Sequence, residues 1–187
     1  MSTRAGMVTL IGQLRRLVDD GTAGIWSNEE LQDILDAHKF HIHREELERE
    51  KTMLSSTSYE YRIFHSRWEH LEGGGSAMFK LEDSAGTQKG TATYAADYNR
   101  GVVTMTTDQG GTALYLTGWT YDINGAAADC WRERASKVTS YYDVQLDGHN
   151  LSRGQWFKHC TDMAGIFDNR ARARTVRQWR SGLWEDN

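Results

Sequence analysis

The hydrophobic pattern of this sequence changes its period twice along the chain. Over the first 38 residues apolar side chains recur every three or four positions, which predicts helices with one apolar face. Between residues 58 and 123 apolar and polar side chains alternate, which predicts half-buried strands, and from residue 124 the helical spacing returns. Neither helical part can bury its apolar face alone, so we expect the two ends of the chain to pack together. The strands then form an insertion between them.

Short motifs mark where the predicted helices begin. Ser27 and Glu30 have the spacing of a capping box, in which each side chain accepts a hydrogen bond from the other's free backbone N–H. Ser152 and Gln155 repeat this spacing before the last helical segment, and Asn124 is the predicted N-cap of the segment before it. These starts predict two helices on each side of the strands.

The changes of period divide the chain into three parts. We expect residues 1–43 and 124–172 to form a bundle of four helices, residues 44–123 a mainly β insertion, and residues 173–187 a C-terminal arm. The predicted fold class is therefore α+β, a four-helix bundle with a small antiparallel β insertion between the second and third long helices. Its predicted core consists of large apolar side chains on the helical stripes: Leu14, Leu31, Leu35, Trp131, Val138, Trp156 and Phe167.

Composition narrows the class of protein. A chain of 187 residues is one domain, or one domain with an insertion. Its apolar runs are far shorter than the roughly 20 residues that cross a bilayer, and no apolar secretory signal opens the sequence. Two cysteines cannot build a disulfide framework, so we expect synthesis in a reducing cytosol. The net charge of −4 argues against a surface that binds nucleic acid as a whole.

Side chains that bind zinc or act as nucleophiles occur here without the spacing that such sites need. The histidines and cysteines in question are His38, His41, His43, Cys130, His159 and Cys160. The sequence has no two cysteines separated by two residues and no HExxH motif. His41 and His43 fall on the polar face of a predicted strand, and Cys160 falls on an apolar helical stripe, where cysteine packs as a small hydrophobic residue. We therefore predict no catalytic residue, metal ion or cofactor.

The C-terminal part differs from the rest of the chain in charge. Residues 151–187 carry 7 Lys or Arg and 4 Asp or Glu, whereas residues 1–57 carry 7 and 10. Past the last apolar stripe, arginines and tryptophans occur together at Arg172, Arg174, Arg177, Trp179, Arg180 and Trp184. Because Trp and Arg concentrate in protein interfaces, these six side chains are the predicted contacts with a partner protein. The alternatives are that they fold back on their own domain or form a solvated helix end.

Several segments of the sequence resemble the head–tail connector (adaptor) proteins of tailed bacteriophages. They are the hairpin YNRGVVTM, the strand-to-helix junction YLTGWTYDINGAAADCW and the link between helices YYDVQLDGHNLSRGQ. The opening helix and the segment IWSNEELQDILDAH are similar to the N-terminal half of the same family. The resemblance covers most of the chain except about residues 44–90 and the last dozen residues.

The resemblance implies an adaptor-type helical bundle that assembles as a homododecameric ring beneath the portal ring of the capsid. It implies that the C-terminal helix and tail contact the portal protein, which makes the six Arg and Trp side chains portal-binding candidates. The opposite face would receive the next neck or tail protein. Genomic DNA would pass through the lumen without sequence-specific binding.

A protein of this family is a structural protein of the virion neck, made in the cytoplasm of the bacterial host. The resemblance implies neither an enzymatic activity nor contact with a membrane. The large β segment departs from the shorter adaptors, so the partner of that segment stays open.

Three other functions are compatible with the residues. A stopper or tail-completion protein is also a ring of the phage neck, bound further from the capsid. A small DNA-binding regulator would place the C-terminal arginines on phosphates and would bind DNA in a salt-sensitive manner. A metal-dependent enzyme would contain zinc, which elemental analysis detects.

Overall fold

The computed structural model describes residues 2–21, 24–55, 58–75, 77–138, 144–146, 149–151 and 153–171. The helices in these ranges are α1 (Val8–Leu17), α2 (Asn28–Ala37), α3 (Ile123–Val138) and α4 (Arg153–Asp168). The strands are β1 (Lys39–Glu46), β2 (Glu48–Ser55), β3 (Ser58–His65), β4 (Phe79–Asp83), β5 (Tyr94–Asp97), β6 (Val102–Met105), β7 (Leu114–Tyr121), β8 (Val144–Leu146) and β9 (His149–Leu151).

The strands between α2 and α3 form two antiparallel sheets. The first has three strands in the order β1-β7-β4, and the second has four strands in the order β2-β3-β6-β5. Strands β8 and β9 make a separate short hairpin between α3 and α4. Apolar side chains from both larger sheets share one core: Ile42, Leu47, Phe64, Leu71, Phe79, Leu81, Val103, Met105, Leu114 and Leu116.

The prediction of a four-helix bundle with a small β insertion is wrong, because the molecule is a mixed α+β fold with two cores. The segment between α2 and α3 has enough alternating apolar residues to bury a core of its own. It is therefore not a small insertion attached to a helical bundle. In addition, α1 and α2 have ten residues each, so each is only about 15 Å long at 1.5 Å per residue. Of the described helices, none is long and apolar enough to cross a membrane.

The helices enclose the second core, together with the last residue of β7. Five of the predicted core side chains are buried in this core: Leu14, Leu31, Leu35, Trp131 and Phe167. Trp156 is partly buried and packs against the same cluster, and the side chain of Val138 lies outside the described residues. Tyr121 of β7 is fully buried among the helices. The core therefore combines both ends of the chain, with β7 leading into it.

Polar contacts from α3 satisfy the backbone at the C-terminal end of α1. Trp131 Nε1 donates to the carbonyl oxygen of Leu17 at 3.2 Å, and Arg134 donates to that of Val18 at 3.0 Å. The last carbonyl groups of a helix have no partner within the helix and favour a nearby cation. The guanidinium carbon of Arg134 also lies 5.0 Å from the ring centres of Trp131 and Trp156. This contact fixes the end of α1 against α3.

Two of the predicted helix starts can be compared with the structure. The capping box of α2 is confirmed, since Ser27 N donates to Glu30 Oε2 at 2.7 Å and Glu30 N donates to Ser27 Oγ at 3.1 Å. Asn124 as the N-cap of α3 is wrong, because the helix already begins at Ile123 and includes Asn124. Asp122 precedes it and accepts a hydrogen bond from Gly125 N at 3.1 Å.

The end of the chain lies largely outside the described residues. Helix α4 ends at Asp168, and residues 169–171 form a turn after it. The predicted cap residue Ser152 and residues 172–187 are likewise outside the described ranges.

We expect Trp131→Ala to lower the free energy of unfolding by about 3–5 kcal/mol, because a buried aromatic side chain is replaced by a cavity. Trp131→Phe should cost less, since the ring is retained and the hydrogen bond to Leu17 is lost. Denaturant titration measures both variants against Phe157→Ala, a control at a side chain that is 43% exposed. A Trp131→Ala curve that overlays the wild-type curve would contradict this packing.

Candidate functional site

A buried ionic network joins the start of the chain to both cores. The Arg4 guanidinium donates two hydrogen bonds of 2.7 Å to the Asp36 carboxylate at the end of α2. It also donates to Glu72 Oε1 at 2.8 Å and to the Tyr121 hydroxyl at 3.1 Å. Glu72 and Tyr121 are almost completely buried, and the Tyr121 hydroxyl donates to the second oxygen of Glu72. One guanidinium therefore holds α2, the segment after β3 and the end of β7.

Arg4 and Asp36 form the charged pair of this network. Hydrogen bonds to Asp36 raise the pKa of Arg4. Burial raises the pKa of the Asp36 carboxyl, but the hydrogen bonds and charge of Arg4 outweigh burial and leave that pKa below its usual value. Burial, and then the hydrogen bond to Glu72, raises the pKa of the Tyr121 hydroxyl. The network thus acts as a structural tie between elements, and not as a proton donor or acceptor.

A second polar cluster lines a cleft of about 290 Å³ between α2, α3 and the end of α4. His38 Nε2 lies 2.6 Å from Asp129 Oδ2, and Asp129 Oδ1 accepts a 2.7 Å hydrogen bond from Arg132. Arg132 also pairs with Asp168, which links α3 to α4. Burial raises the pKa of Asp129, but its hydrogen bond with His38 and the charge of Arg132 leave that pKa below its usual value.

The histidine–carboxylate pair in this cleft has the geometry of a general base. A hydrolase that used it as a base would also need a nucleophile beside the histidine. The described residues that line the cleft are His38, Asp122, Gly125, Asp129, Arg132, Asp168 and Ala171, and none of them carries a hydroxyl or thiol group. A Cβ on Gly125 would lie 2.6 Å from His38 Nδ1, so the imidazole packs directly on the α3 backbone. The arrangement is that of a contact between helices.

The side chains considered as zinc ligands are not brought together. His41 stacks near Trp119, with ring centres 4.6 Å apart, and His43 lies beside it on the same strand. Cys130 and Cys160 are buried in the helical core, where burial raises the pKa of both thiols, that of Cys130 to about 12. Within the described residues, no three His, Cys, Asp or Glu side chains are arranged to hold a metal ion.

The helix that leads to the Arg- and Trp-rich segment is half covered. Helix α4 packs mainly against α3, and its buried side chains are Cys160, Ala164 and Phe167. Phe157 and Ile166 are each 43% exposed on its other sides. The portal-binding candidates Arg172, Arg174, Arg177, Trp179, Arg180 and Trp184 lie outside the described residues. Of the predicted portal-binding region, the structure therefore describes only helix α4, which precedes the six candidates.

Sequence reasoning missed both polar clusters. Arg4 lies 32 positions from Asp36 and 117 positions from Tyr121, and His38 lies 91 positions from Asp129. No local motif connects residues this far apart. The one available signal was a charged side chain next to a predicted core position, as Arg132 is next to Trp131.

Comparison of the chain with protein-family models, with curated proteins and with solved structures gives no match.

We expect Arg4→Met to lower the free energy of unfolding by about 3–5 kcal/mol, because it leaves the buried Glu72 carboxylate without its cation. The double variant Arg4→Met/Glu72→Met should recover much of this loss, since it removes both buried charges. The control is Arg16→Met on the exposed side of α1, with a change within about 0.5 kcal/mol. Thermal and denaturant unfolding measure all three variants, and equal losses for Arg4→Met and Arg16→Met would contradict the role of the network.

Proposed function

We propose that the protein is a structural component of the neck of a tailed bacteriophage. In this proposal twelve copies form an adaptor ring beneath the portal ring, which connects the capsid to the tail. The proposal rests first on the resemblance of the segments YNRGVVTM, YLTGWTYDINGAAADCW and YYDVQLDGHNLSRGQ to that family. The first covers the turn after β5 and strand β6, and the second covers the junction from β7 to α3, where the two cores meet.

The structural observation that supports the proposal most directly is the half-covered helix α4. A helix in a monomer usually buries a continuous apolar stripe, whereas α4 leaves Phe157 and Ile166 exposed while Cys160, Ala164 and Phe167 are buried in the helical core. It leads directly to the segment that carries the six Arg and Trp portal-binding candidates. A partly apolar helix followed by Trp and Arg anchors has the composition of a protein interface.

The distribution of charge is compatible with a ring through which DNA passes. The chain carries a net charge of −4, and the excess of positive charge is confined to its C-terminal part. An acidic lumen wall repels the phosphates of genomic DNA and does not retain it, so DNA passes without sequence-specific binding. The basic C-terminal segment then contacts the portal protein, and the opposite face contacts the downstream neck or tail protein. The protein so placed is part of the virion, at the interface of head and tail.

Deleting residues 175–187 should leave the fold and its melting temperature nearly unchanged, because both cores lie within the described residues up to Phe167. Capsids assembled with this variant should package DNA but fail to retain the protein, since truncation of a desolvated Trp or Arg anchor commonly costs about 2 kcal/mol or more of binding free energy. Quantitative gel analysis of purified capsids measures the occupancy.

The matched control for this deletion removes only residues 185–187, which keeps every Arg and Trp of the segment. Wild-type occupancy of the longer deletion would place the portal contact elsewhere in the chain. Salt-sensitive binding of duplex DNA by the isolated protein, together with normal capsid occupancy, would favour the DNA-binding regulator instead.

The purified protein should be largely monomeric in light scattering at micromolar concentration and should form rings on the portal. Contacts between mostly polar surfaces gain little until a template holds the subunits at high effective concentration. A stable species of twelve subunits without portal would contradict this expectation.

A further inference from the structure

Strand β5 forms a free edge of the four-stranded sheet. It is the last strand in the order β2-β3-β6-β5 and pairs only with β6 among the described residues. Thr106 N donates to Thr93 O at 2.9 Å, and this pair continues the register of β5 and β6. Because bonded and non-bonded pairs alternate along an antiparallel ladder, Ala95 bonds to β6, whereas the backbone groups of Tyr94 and Ala96 point away from it. Such groups form an edge to which a further strand can be added.

The segment after β3 pairs with the chain just past β5 and then leaves it. Leu71 N donates to Tyr98 O at 2.8 Å, and the residue before Leu71 donates to the residue after Tyr98, so the two segments run antiparallel. If this pairing continued, Gly73 would lie opposite Ala96. Gly73 instead packs on the start of the chain, where a Cβ on Gly6 would lie 2.0 Å from its carbonyl oxygen. Among the described residues, no backbone hydrogen bond joins Gly73 or the two residues after it to β5.

An open cleft of about 540 Å³ lies where this glycine segment leaves β5. Gly73 and Gly74 line it on one side, Ala96 of β5 on another, and Ala5 and Thr9 from the first helical turns on a third. The volume is within the range of specific binding sites. Side chains this small leave the main chain accessible and let another backbone approach closely. The cleft therefore fits an extended main chain, which finds backbone partners there.

The cleft carries one negative charge. Of the ten side chains that line it, only Asp97 is charged. Its carboxylate accepts hydrogen bonds from the backbone N–H groups of Asn99 and Arg100 at 3.1 and 3.3 Å, and it is in no ion pair among the described residues. A residue added opposite Ala95 shares a face of the sheet with Asp97 and lies diagonally across from it at about 7–8 Å, within reach of a long side chain. A lysine or arginine at that position complements the charge.

We propose that the cleft binds an extended segment of a partner protein, which adds a strand to β5 at Ala96 and carries a lysine or arginine facing Asp97. The added strand begins in the cleft and runs along β5 toward Tyr94. Main-chain hydrogen bonds to Ala96 and Tyr94 supply the affinity, and the cation supplies the selectivity. This site goes beyond the proposed neck function and does not depend on it.

Amide hydrogen exchange of the full-length protein, measured by NMR, tests this site. The probe is the peptide acetyl-Ser-Thr-Val-Lys-Val-Thr-Ser-amide, whose threonines and valines favour an extended conformation. Saturating peptide should slow the exchange of the Ala96 and Tyr94 amides severalfold, because each gains a hydrogen bond. The Ala95 amide, already bonded to β6, should change little. Absence of binding, or binding that leaves the Ala96 amide unprotected, would overturn the proposal.

A second peptide, with glutamate in place of the lysine, tests the charge. It should bind up to about fivefold more weakly, as expected for an exposed ion pair. Asp97→Asn keeps an oxygen that can accept the hydrogen bonds of Asn99 and Arg100, so it should fold normally and lose the preference for the lysine peptide. The control Asp33→Asn, at an exposed position of α2, should keep the preference. Equal affinities of the two peptides for the wild-type protein would overturn the charge selectivity.

Two tryptophan substitutions on α1 form a matched pair that tests the position of the site. Thr9→Trp fills the cleft, whereas Val8→Trp adds the same ring at the preceding residue, which is 65% exposed and does not line the cleft. Thr9→Trp should abolish the protection of the Ala96 amide by the lysine peptide. Val8→Trp should keep the wild-type affinity within about twofold, as is usual for a surface substitution. Equal binding by the two variants, with unchanged melting temperatures, would overturn the proposal.

Exchange in the protein without peptide tests for any other occupant of the cleft. The Ala96 and Tyr94 amides should then exchange rapidly. Slow exchange that becomes fast in the 175–187 deletion would assign the cleft to the C-terminal segment of the same chain and overturn the proposal. Slow exchange that depends on protein concentration would assign it to a second copy and do the same. Capsid occupancy is measured separately, so failure of this site and failure of the neck proposal are distinguishable.

Discussion

The two cores of this molecule are joined through the guanidinium group of Arg4. Glu72 is buried beside the end of β7, where its backbone N–H donates to the carbonyl oxygen of Trp119 at 3.0 Å. A carboxylate in that position costs several kcal/mol unless a cation and further hydrogen bonds compensate it. Arg4 supplies the charge and, through Asp36, joins the same site to α2. The positions of the first helices relative to the sheets therefore depend on one buried charge and its partner.

Helix α3 is the element on which the other helices converge. Near its middle Asp129 joins it to His38 at the end of α2, and further along Trp131 and Arg134 bind carbonyl groups at the end of α1. On its other side it packs along α4. Small residues in its first turns, Ala126, Ala127 and Ala128, are fully buried and let the neighbouring elements approach closely. The junction from β7 to α3 therefore positions the helix that the other three contact.

The features that the sequence predicted correctly are local in the chain. The capping box of α2 is readable because Ser27 and Glu30 are three residues apart, and the strand character of β3 follows from the alternation after residue 58, which needs no knowledge of the partner strand. The division of the strands into two sheets was not readable, because β1 pairs with β7, with β2 to β6 between them in the chain. The start of α3 was misplaced because Asp122 and Asn124 are both good N-cap residues and only the tertiary contacts select between them. Arg4 and Glu72 carry no sequence signal at a separation of 68 positions.

The helical core is built from both ends of the chain, so its two parts leave the ribosome at different times. Helix α2 ends at Ala37, and α3, which covers it, begins at Ile123. At the usual rate of roughly 5–20 residues per second, the ribosome needs about 4–17 seconds to make the intervening segment. During that interval the four-stranded sheet can form, whereas the three-stranded sheet is completed only when β7 is made just before α3, and the apolar faces of α1 and α2 stay uncovered. Synthesis on the ribosome therefore favours a pathway in which the sheets form first and the helices close last. Refolding of the whole chain from denaturant imposes no such order.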